Sequence, residues 1–391
     1  MISIAVLGYG TVGSGVVDVV KNNCAQIKNT LGDDVKVKYV LDIREFENLP
    51  ELVHDINIIL NDPDIKIVCE TMGGKKPAFE FTKSALERGI SVCTSNKELV
   101  DAHGVELSNI ARENNCSYLF EASVGGGIPI LRALREACGQ EKITAVIGIL
   151  NGTCNYILTK MKSGVDFEDA LKEAQEKGFA ERNPSADVEG HDTARKIAIL
   201  ASLVSGKRVS YENIVCEGIT GITARDFKYA EKLSMSVKLL GLFEPENKFI
   251  LTAPFLIPSE HALYNINGVF NGILIRGNMV DDLMFYGRGA GKLPTASAVV
   301  ADVIECAREN KNIPNGLSPE ILKLGDINNR SCKFFVRVNN KAKALENFNN
   351  ITEIDCGFDD EFAFITEPMT GFEFDKKISD VGLKNKLRLL S

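Results

Sequence analysis

Asp192 and Lys196 stand four residues apart in EGHDTARKIAILA, residues 189–201. On a helix that spacing puts a carboxylate and an ammonium on one face. In solvent such a pair adds about 0.2–0.5 kcal/mol of helix stability and nothing more. Here the apolar run IAILA follows directly, so burial of the pair is an equal expectation. The stretch AQEKGFAERNPSADVEGHDTARK (174–196) crowds Glu181, Asp187, Asp192 and Lys196, punctuated by Gly178 and Gly190, with Asn183-Pro184 as a turn. An acidic loop leading into a helix with an apolar face can present carboxylates to a cationic ligand. Asp192 near a helix start also suits the helix dipole with no function attached. From these residues alone both readings stay open.

A second chemical signal is GYGTVG, Gly8 to Gly13, which fits GxGxxG. It follows a strand-like run, SIAVL, and opens a helical pattern, the context a dinucleotide-binding turn requires. Gly8 permits the tight turn, Gly10 lets the backbone approach a pyrophosphate, and Gly13 lets helix and strand pack closely. Thr11 and Val12 complete the loop, and the helix N-terminus favours phosphate charge. The adenine ribose is expected at the end of the second strand, here LDIREF. Asp42 would accept from a ribose 2′-hydroxyl and favour NAD; Arg44 would pair with a 2′-phosphate and favour NADP. Both residues are present, and both cofactors remain open.

The elements that must position these groups form an α/β pattern. Residues 1–122 alternate strand-like runs (SIAVLG, VKVKYVLD, IKIVCE, ISVCTS, SYLFEA) with helical segments, as in a parallel sheet covered on both faces. At 123–130 the texture changes to SVGGGIPI. Beyond it come a helix near 129–138, a strand at 143–150, helices opening at NGTCNYILTKM and near 166–177 and 192–204, and β-rich runs FILTAPFLI, GVFNGILIRG and DLMFYG. GRGAGKLP (287–294) precedes the helix TASAVVADVIECAREN, expected to pack back on the first domain. The expected organisation is a Rossmann-type dinucleotide-binding domain at 1–130 plus about 290–325, an α+β second domain at 131–289, and a small α+β module at 331–391.

Composition excludes several classes. With 45% hydrophobic and 25% charged residues the chain is globular, and a net charge of −8 gives no electrostatic footprint for nucleic acid or an anionic membrane surface. No window approaches the apolar length of a membrane span. The start, MISIAVLG, reads as a strand and not a targeting segment, so a cytoplasmic location is expected. The ten cysteines form no CxxC pair and read as reduced small hydrophobes; the four histidines are too dispersed for a helical metal motif.

The stretch at 174–196 resembles the signature of the homoserine dehydrogenases: Ala174, Gly178-Phe179-Ala180, Asn183-Pro184, Asp187-Val188, Gly190, Asp192 and Lys196 all stand at its spacing. GYGTVG, NDPDIKIVCETMGG, TSNKELV, FEASVGGGIPI, ILNGTCNYILTKM and GRGAGKLPTASAVVADV agree in register, so the likeness covers about residues 1–310. The resemblance implies reversible NAD(P)-dependent conversion of L-homoserine to L-aspartate 4-semialdehyde, on the branch to threonine, isoleucine and methionine. It implies Lys196 as the proton-transfer group, Glu181 and Asp187 as partners of the substrate ammonium, and Gly289 in a loop closing on the nicotinamide side. Lys97, in TSNKELV, matches a family lysine between nicotinamide and substrate.

An unperturbed lysine pKa near 10.4 is high for proton shuttling, so partial burial or a second cation must lower it. Asp192 is expected to orient Lys196, or the substrate hydroxyl through water, without merely neutralising the lysine. His191 would point away from Lys196 on a helix. The resemblance also implies a sodium-like cation held by Glu121 and the carbonyls of Val124, Gly126 and Ile128; oxygen ligands suit a hard cation. A homodimer or higher homo-oligomer through the second domain's sheet is expected too.

Two departures from the family pattern stand out. Cys154 replaces the usual threonine in NGTCNYI. A thiol-dependent aldehyde dehydrogenase would need a thiolate and usually a histidine partner, and none lies near in sequence. The tail at 331–391 resembles an ACT-type regulatory module, but its turn VNNKAKAL lacks the usual glycine, so threonine feedback is not expected. A catalytically dead NAD(P)-binding sensor is the reading from another class; Lys97, Asp192 and Lys196 together argue against it.

Overall fold

The computed structural model describes residues 1–309 and 312–390. The chain forms two compact units: Met1–Glu141 with Ile199–Ser210 and Gly287–Leu322, and Lys142–Ala198 with Tyr211–Tyr286 and Lys323–Ser391.

The first unit is built on a six-stranded sheet. Its strands are β1 (Ile2–Leu7), β2 (Val35–Leu41), β3 (Leu52–Val53), β4 (Ile65–Glu70), β5 (Ser91–Thr94) and β6 (Tyr118–Leu119), in the order β3-β2-β1-β4-β5-β6. Every neighbouring pair is parallel. Parallel strands buried on both faces explain the continuous apolar runs read above. The strand order reverses between β1 and β4, and ligands of such sheets bind at the carboxyl ends there. The helices Thr11–Asn22 and Lys292–Glu309 share one core with the sheet: Val16, Val20, Val299 and Val303 pack with Ile4, Val6, Ile67 and Cys93. Gly15 makes this close approach possible, because a Cβ there would stand 2.8 Å from the Lys292 carbonyl oxygen.

The second unit carries a ten-stranded sheet of β7 (Ile143–Ile149), β8 (Val215–Cys216), β9 (Met235–Glu244), β10 (Phe249–Pro258), β11 (Phe270–Gly277), β12 (Asp281–Arg288), β13 (Phe334–Val338), β14 (Thr352–Ile354), β15 (Phe362–Ile365) and β16 (Leu383–Leu389). The order is β12-β11-β7-β9-β10-β16-β13-β15-β14, with β8 beside β10. One face packs the helix Gly152–Lys162 through Cys154, Ile157, Leu158 and Met161 against Val237 and Leu239. The other buries Ile147, Ile149, Leu240 and Leu242 with Leu263 and Ile266. Burial on both faces erases the alternation that would have announced β9, and Lys238 and Gly241 interrupt its apolar run. Sequence patterning leaves it unassigned for that reason.

Residues 334–389 follow the order β13, helix Lys341–Asn347, β14, β15, helix Gly371–Ile378, β16, with a core of their own around Phe334, Val336, Phe364 and Phe374. They differ from the separate module expected from sequence in one respect. Strand β16 pairs parallel with β10 at Phe255↔Arg388, so the segment extends the larger sheet. The first unit likewise runs to Glu141, past the expected boundary at 130. Among the described residues no helix is long and apolar enough to cross a membrane.

Candidate active site

Lys196 is a buried lysine. On the helix His191–Ser205 it is 8 % exposed and Asp192 4 %. Its Nζ lies 2.7 Å from Asp192 Oδ2 and donates to the Leu150 carbonyl oxygen at 2.8 Å. The pair is therefore no surface decoration. A lysine ammonium has three donors, and Asp192 and the Leu150 carbonyl take two of them. Sequence reasoning expected Asp192 to orient Lys196 or to reach the substrate hydroxyl through water; the contact with Lys196 is direct.

The residue that organises the group is Asn151, which sequence reasoning passed over. Its Nδ2 donates to Asp187 Oδ1 at 2.7 Å and to Asp192 Oδ2 at 2.9 Å. Its Oδ1 accepts from Cys154 N at 2.8 Å and so caps the helix Gly152–Lys162. One side chain thus joins two carboxylates and draws Asp192's charge partly away from the lysine. The Asn-Gly-Thr sequence at the end of β7 is a helix-start signal that marks the position, though not its reach to the acids. The Leu150 carbonyl leaves no trace in sequence, since any residue supplies one.

The acidic loop is fixed from several sides. Thr153 Oγ1 donates to the Phe179 carbonyl oxygen at 2.6 Å, and Gln175 Nε2 to that of Glu181 at 3.1 Å. Gly190 closes the loop at φ +88, where a Cβ would stand 3.0 Å from Cys216 Sγ and from Thr252 Cγ2. Asp187 is half-buried beside Asn151, while Glu181 is exposed. His191 is exposed and pairs with Glu189 at 3.2 Å, on the side expected. Cys154 is fully buried, and its thiol donates to the Asp187 carbonyl oxygen at 3.1 Å. Burial pushes this thiol well above its ordinary pKa, which removes the thiolate that a thiol-dependent dehydrogenase needs.

In the first unit the GYGTVG loop has the geometry its glycines imply. Gly8 is at φ +89, and a Cβ on Gly13 would stand 1.8 Å from the Gly8 carbonyl oxygen. A Cβ on Gly10 would meet nothing within 4 Å. The helix Thr11–Asn22 has no side-chain cap and no acidic residue in its first turn, which suits a phosphate at its N-terminus. At the end of β2, Arg44 Nε and Nη2 clasp Asp42 at 3.0 and 2.9 Å, and Tyr9 N donates to Asp42 Oδ2 at 2.7 Å. The Arg44 guanidinium holds the Asp42 carboxyl well below the usual carboxylate range.

Lys97 is half-buried at the first position of the helix Lys97–Glu113, after the cap Asn96, which accepts from Leu99 N at 3.1 Å. Asn96 also donates to the Gly74 carbonyl oxygen at 2.7 Å. Beneath this turn lies Glu70, fully buried, accepting from Thr94 Oγ1 and from Met72 N at 2.8 Å. Burial pushes Glu70 up to about 7 from an ordinary 4.5. Between those values the unfolded chain has released a proton that the folded chain keeps. This contribution is therefore fully present below pH 4.5 and is lost as pH rises through about 7. Glu70→Gln is expected to flatten that fall, which amounts to ~3 kcal/mol at 1.36 kcal/mol per pKa unit. Thermal denaturation of both proteins across this range checks it; an unchanged slope in the variant contradicts it.

The SVGGGIPI turn and the GRGAG loop meet. Gly126, at φ +56, would clash through a Cβ with Gly289 C at 2.6 Å, and Gly127 N donates to the Arg288 carbonyl oxygen at 3.2 Å. Val124, Gly126 and Ile128 are buried. Glu121 has work that its sequence did not reveal: its carboxylate accepts from Leu131 N at 2.9 Å and Arg132 N at 2.7 Å. Its own N–H donates to Asp302 Oδ2 at 2.9 Å. Burial pushes Glu121 up, and burial with the Glu121 charge pushes Asp302 up to about 8.

Comparison with known proteins gives one answer. The model of the family "Homoserine dehydrogenase" matches residues 129–304, and that of "Homoserine dehydrogenase, NAD binding domain" matches residues 8–121. The homoserine dehydrogenase of Synechocystis sp. is 44% identical over 316 residues, covering 78% of this chain and 72% of that protein. The crystal structure of a homoserine dehydrogenase from Thiobacillus denitrificans superposes with a TM-score of 0.90 at 30% identity, over 100% of this chain and 98% of that one. A hyperthermophilic archaeal homoserine dehydrogenase in complex with NADPH superposes at 0.68 and 27% identity, over 80% of this chain and 99% of that one. With two family models spanning most of its length and a relative this similar, the chain belongs to the homoserine dehydrogenase family.

Proposed function

We propose that Lys196 is the proton-transfer group of the homoserine dehydrogenase reaction, the reversible NAD(P)-dependent interconversion of L-homoserine and L-aspartate 4-semialdehyde. The observation that carries this reading is its burial between Asp192 Oδ2 and the Leu150 carbonyl oxygen, with Asn151 tying Asp192 to Asp187. Bound nicotinamide supplies the hydride chemistry. Lys196 donates a proton to the carbonyl oxygen during reduction and accepts one from the hydroxyl during oxidation. Asp192 holds the ammonium in place. Glu181 and Asp187 pair with the substrate ammonium, and Lys97 is the second cation that the reaction uses.

In the first unit Gly8, Gly10, Thr11, Val12 and Gly13 hold the pyrophosphate, with Gly289 on the nicotinamide side. The end of β2 suits both cofactors: Asp42 accepts from a 2′-hydroxyl, and Arg44, lying 5.0 Å over the Phe46 ring, pairs with a 2′-phosphate. Glu121 with the carbonyls of Val124, Gly126 and Ile128 suits a monovalent cation. Residues 331–391 are an ACT-like module. Where such modules carry glycine after the first strand, Asn340 caps the helix instead, accepting from Lys343 N at 3.1 Å. Strand β12 ends the large sheet with Met284 and Tyr286 exposed, a surface that fits pairing with a second copy.

The test is nicotinamide absorbance with L-homoserine beside L-serine and L-threonine. Turnover selective for homoserine is expected; no turnover of homoserine overturns the reading.

A further inference from the structure

We propose that Asn271 is a positioning residue for Lys196, acting through the Leu150–Gly152 turn. Asn271 lies in β11, is 0 % exposed, and neither its Oδ1 nor its Nδ2 has a hydrogen-bond partner among the described residues. Strand register fixes where it points. Gly272 pairs with Ile149 and Ile273 with Gly148, so Asn271 runs alongside Leu150. Alternation places its side chain on the face shared by Ile273 and Gly148. Gly148 in turn pairs with Gly241, and a Cβ on Gly241 would stand 3.0 Å from both Ile197 Cβ and Leu150 Cδ1. This is the face that the Lys196 helix covers.

The carboxamide reaches the active-site turn. Asn271 Oδ1 stands 3.6 Å from the place a Cβ on Gly152 would take. Gly152 opens the helix that Asn151 caps, and Leu150, just before, gives its carbonyl oxygen to Lys196. Thr193, between Asp192 and Lys196 on the helix, is also fully buried, with a hydroxyl that no group among the described residues partners. Its methyl would lie 3.3 Å from the same Gly241 Cβ that meets Leu150. Two polar side chains thus flank Leu150 where leucine and valine would pack without a polar atom to satisfy.

Buried amides of this kind are satisfied by ordered water. Asn271, through one buried water on the main chain of Leu150–Gly152, sets the direction of the Leu150 carbonyl and with it the position of Lys196 Nζ. A small displacement there lowers turnover without weakening substrate binding.

This inference rests on the proton-transfer role of Lys196, so Lys196→Ala is measured alongside Asn271→Leu, Asn271→Ala and Asn271→Ser. Asn271→Leu is expected to keep or raise Tm, lower kcat about tenfold, leave KM nearly unchanged and displace the pH profile of kcat. Asn271→Ala, which cannot overpack, decides the matter if the leucine variant does not fold, and the same loss is expected. Asn271→Ser keeps a hydrogen-bonding group with room for water and is expected to recover most of the lost kcat. Wild-type kcat and pH profile in Asn271→Leu or Asn271→Ala overturn the proposal. So does an equal kcat loss in all three variants that tracks a fall in Tm. Activity retained in Lys196→Ala refutes the lysine's role; an inactive Lys196→Ala beside unaffected Asn271 variants refutes this inference alone.

Discussion

Lys196→Ala is expected to lower kcat about 10³-fold in both directions, the middle of the range that a positioned general acid or base contributes. Dinucleotide binding should survive, because the glycine turn that follows β1 does not include Lys196. The change also strands Asp192, 4 % exposed, without its ammonium. Removing one partner of a buried pair costs about 3–5 kcal/mol, so Tm should fall as well. Asn151 Nδ2 still donates to Asp192 and softens that cost. Lys196→Met, with a side chain of similar length, separates chemistry from packing: its kcat should be equally low. Steady-state kinetics with both variants, beside an NADPH titration by fluorescence, checks the two parts independently. Loss of NADPH binding equal to the loss of turnover would show that the lysine supports the fold and not the chemistry.

Gly13→Ala is the second large effect. The added Cβ would stand 1.8 Å from the Gly8 carbonyl oxygen and 2.7 Å from Thr71 Oγ1, and backbone cannot yield as a side-chain tip can. The turn must open or the helix Thr11–Asn22 must lift from β1, at a cost of about 3 kcal/mol or more. Gly10→Ala is the control: its Cβ meets no protein atom within 4 Å, so Tm should hold while the pyrophosphate loses its approach. Expected, then, are lost Tm and lost NADPH affinity for Gly13→Ala, and lost affinity alone for Gly10→Ala. Equal Tm values for the two variants, or wild-type affinity in Gly10→Ala, would contradict this account of the loop.

Much of this was legible where residue types carry their own geometry. Glycine at 8, 10 and 13 after an apolar run announced the turn, and strand–helix alternation announced a sheet whose order is β3-β2-β1-β4-β5-β6. The i,i+4 spacing placed Asp192 and Lys196 on one face, but only packing shows that the face is buried. What stayed hidden was carried by the main chain or by long-range contacts. The Leu150 carbonyl has no sequence signature. Asn151 looks like an ordinary helix cap until Asp187 and Asp192 arrive from a segment 36 and 41 residues away. Glu121 is marked in sequence only through the resemblance, as a cation ligand, and nothing there shows that its carboxylate accepts from Leu131 N and Arg132 N. Arg44 and Asp42 read as rival cofactor signals and are in fact bound to each other. β9 was hidden by the burial that makes it central, for a strand covered on both faces has no period of two.

The most direct test of the central claim is chemical rescue of Lys196→Ala by small primary amines, followed as kcat for semialdehyde reduction. If Lys196 moves the proton, added amine should restore turnover in proportion to its concentration, with efficiency ordered by amine pKa and size. Undiminished turnover in Lys196→Ala without any amine would contradict the account.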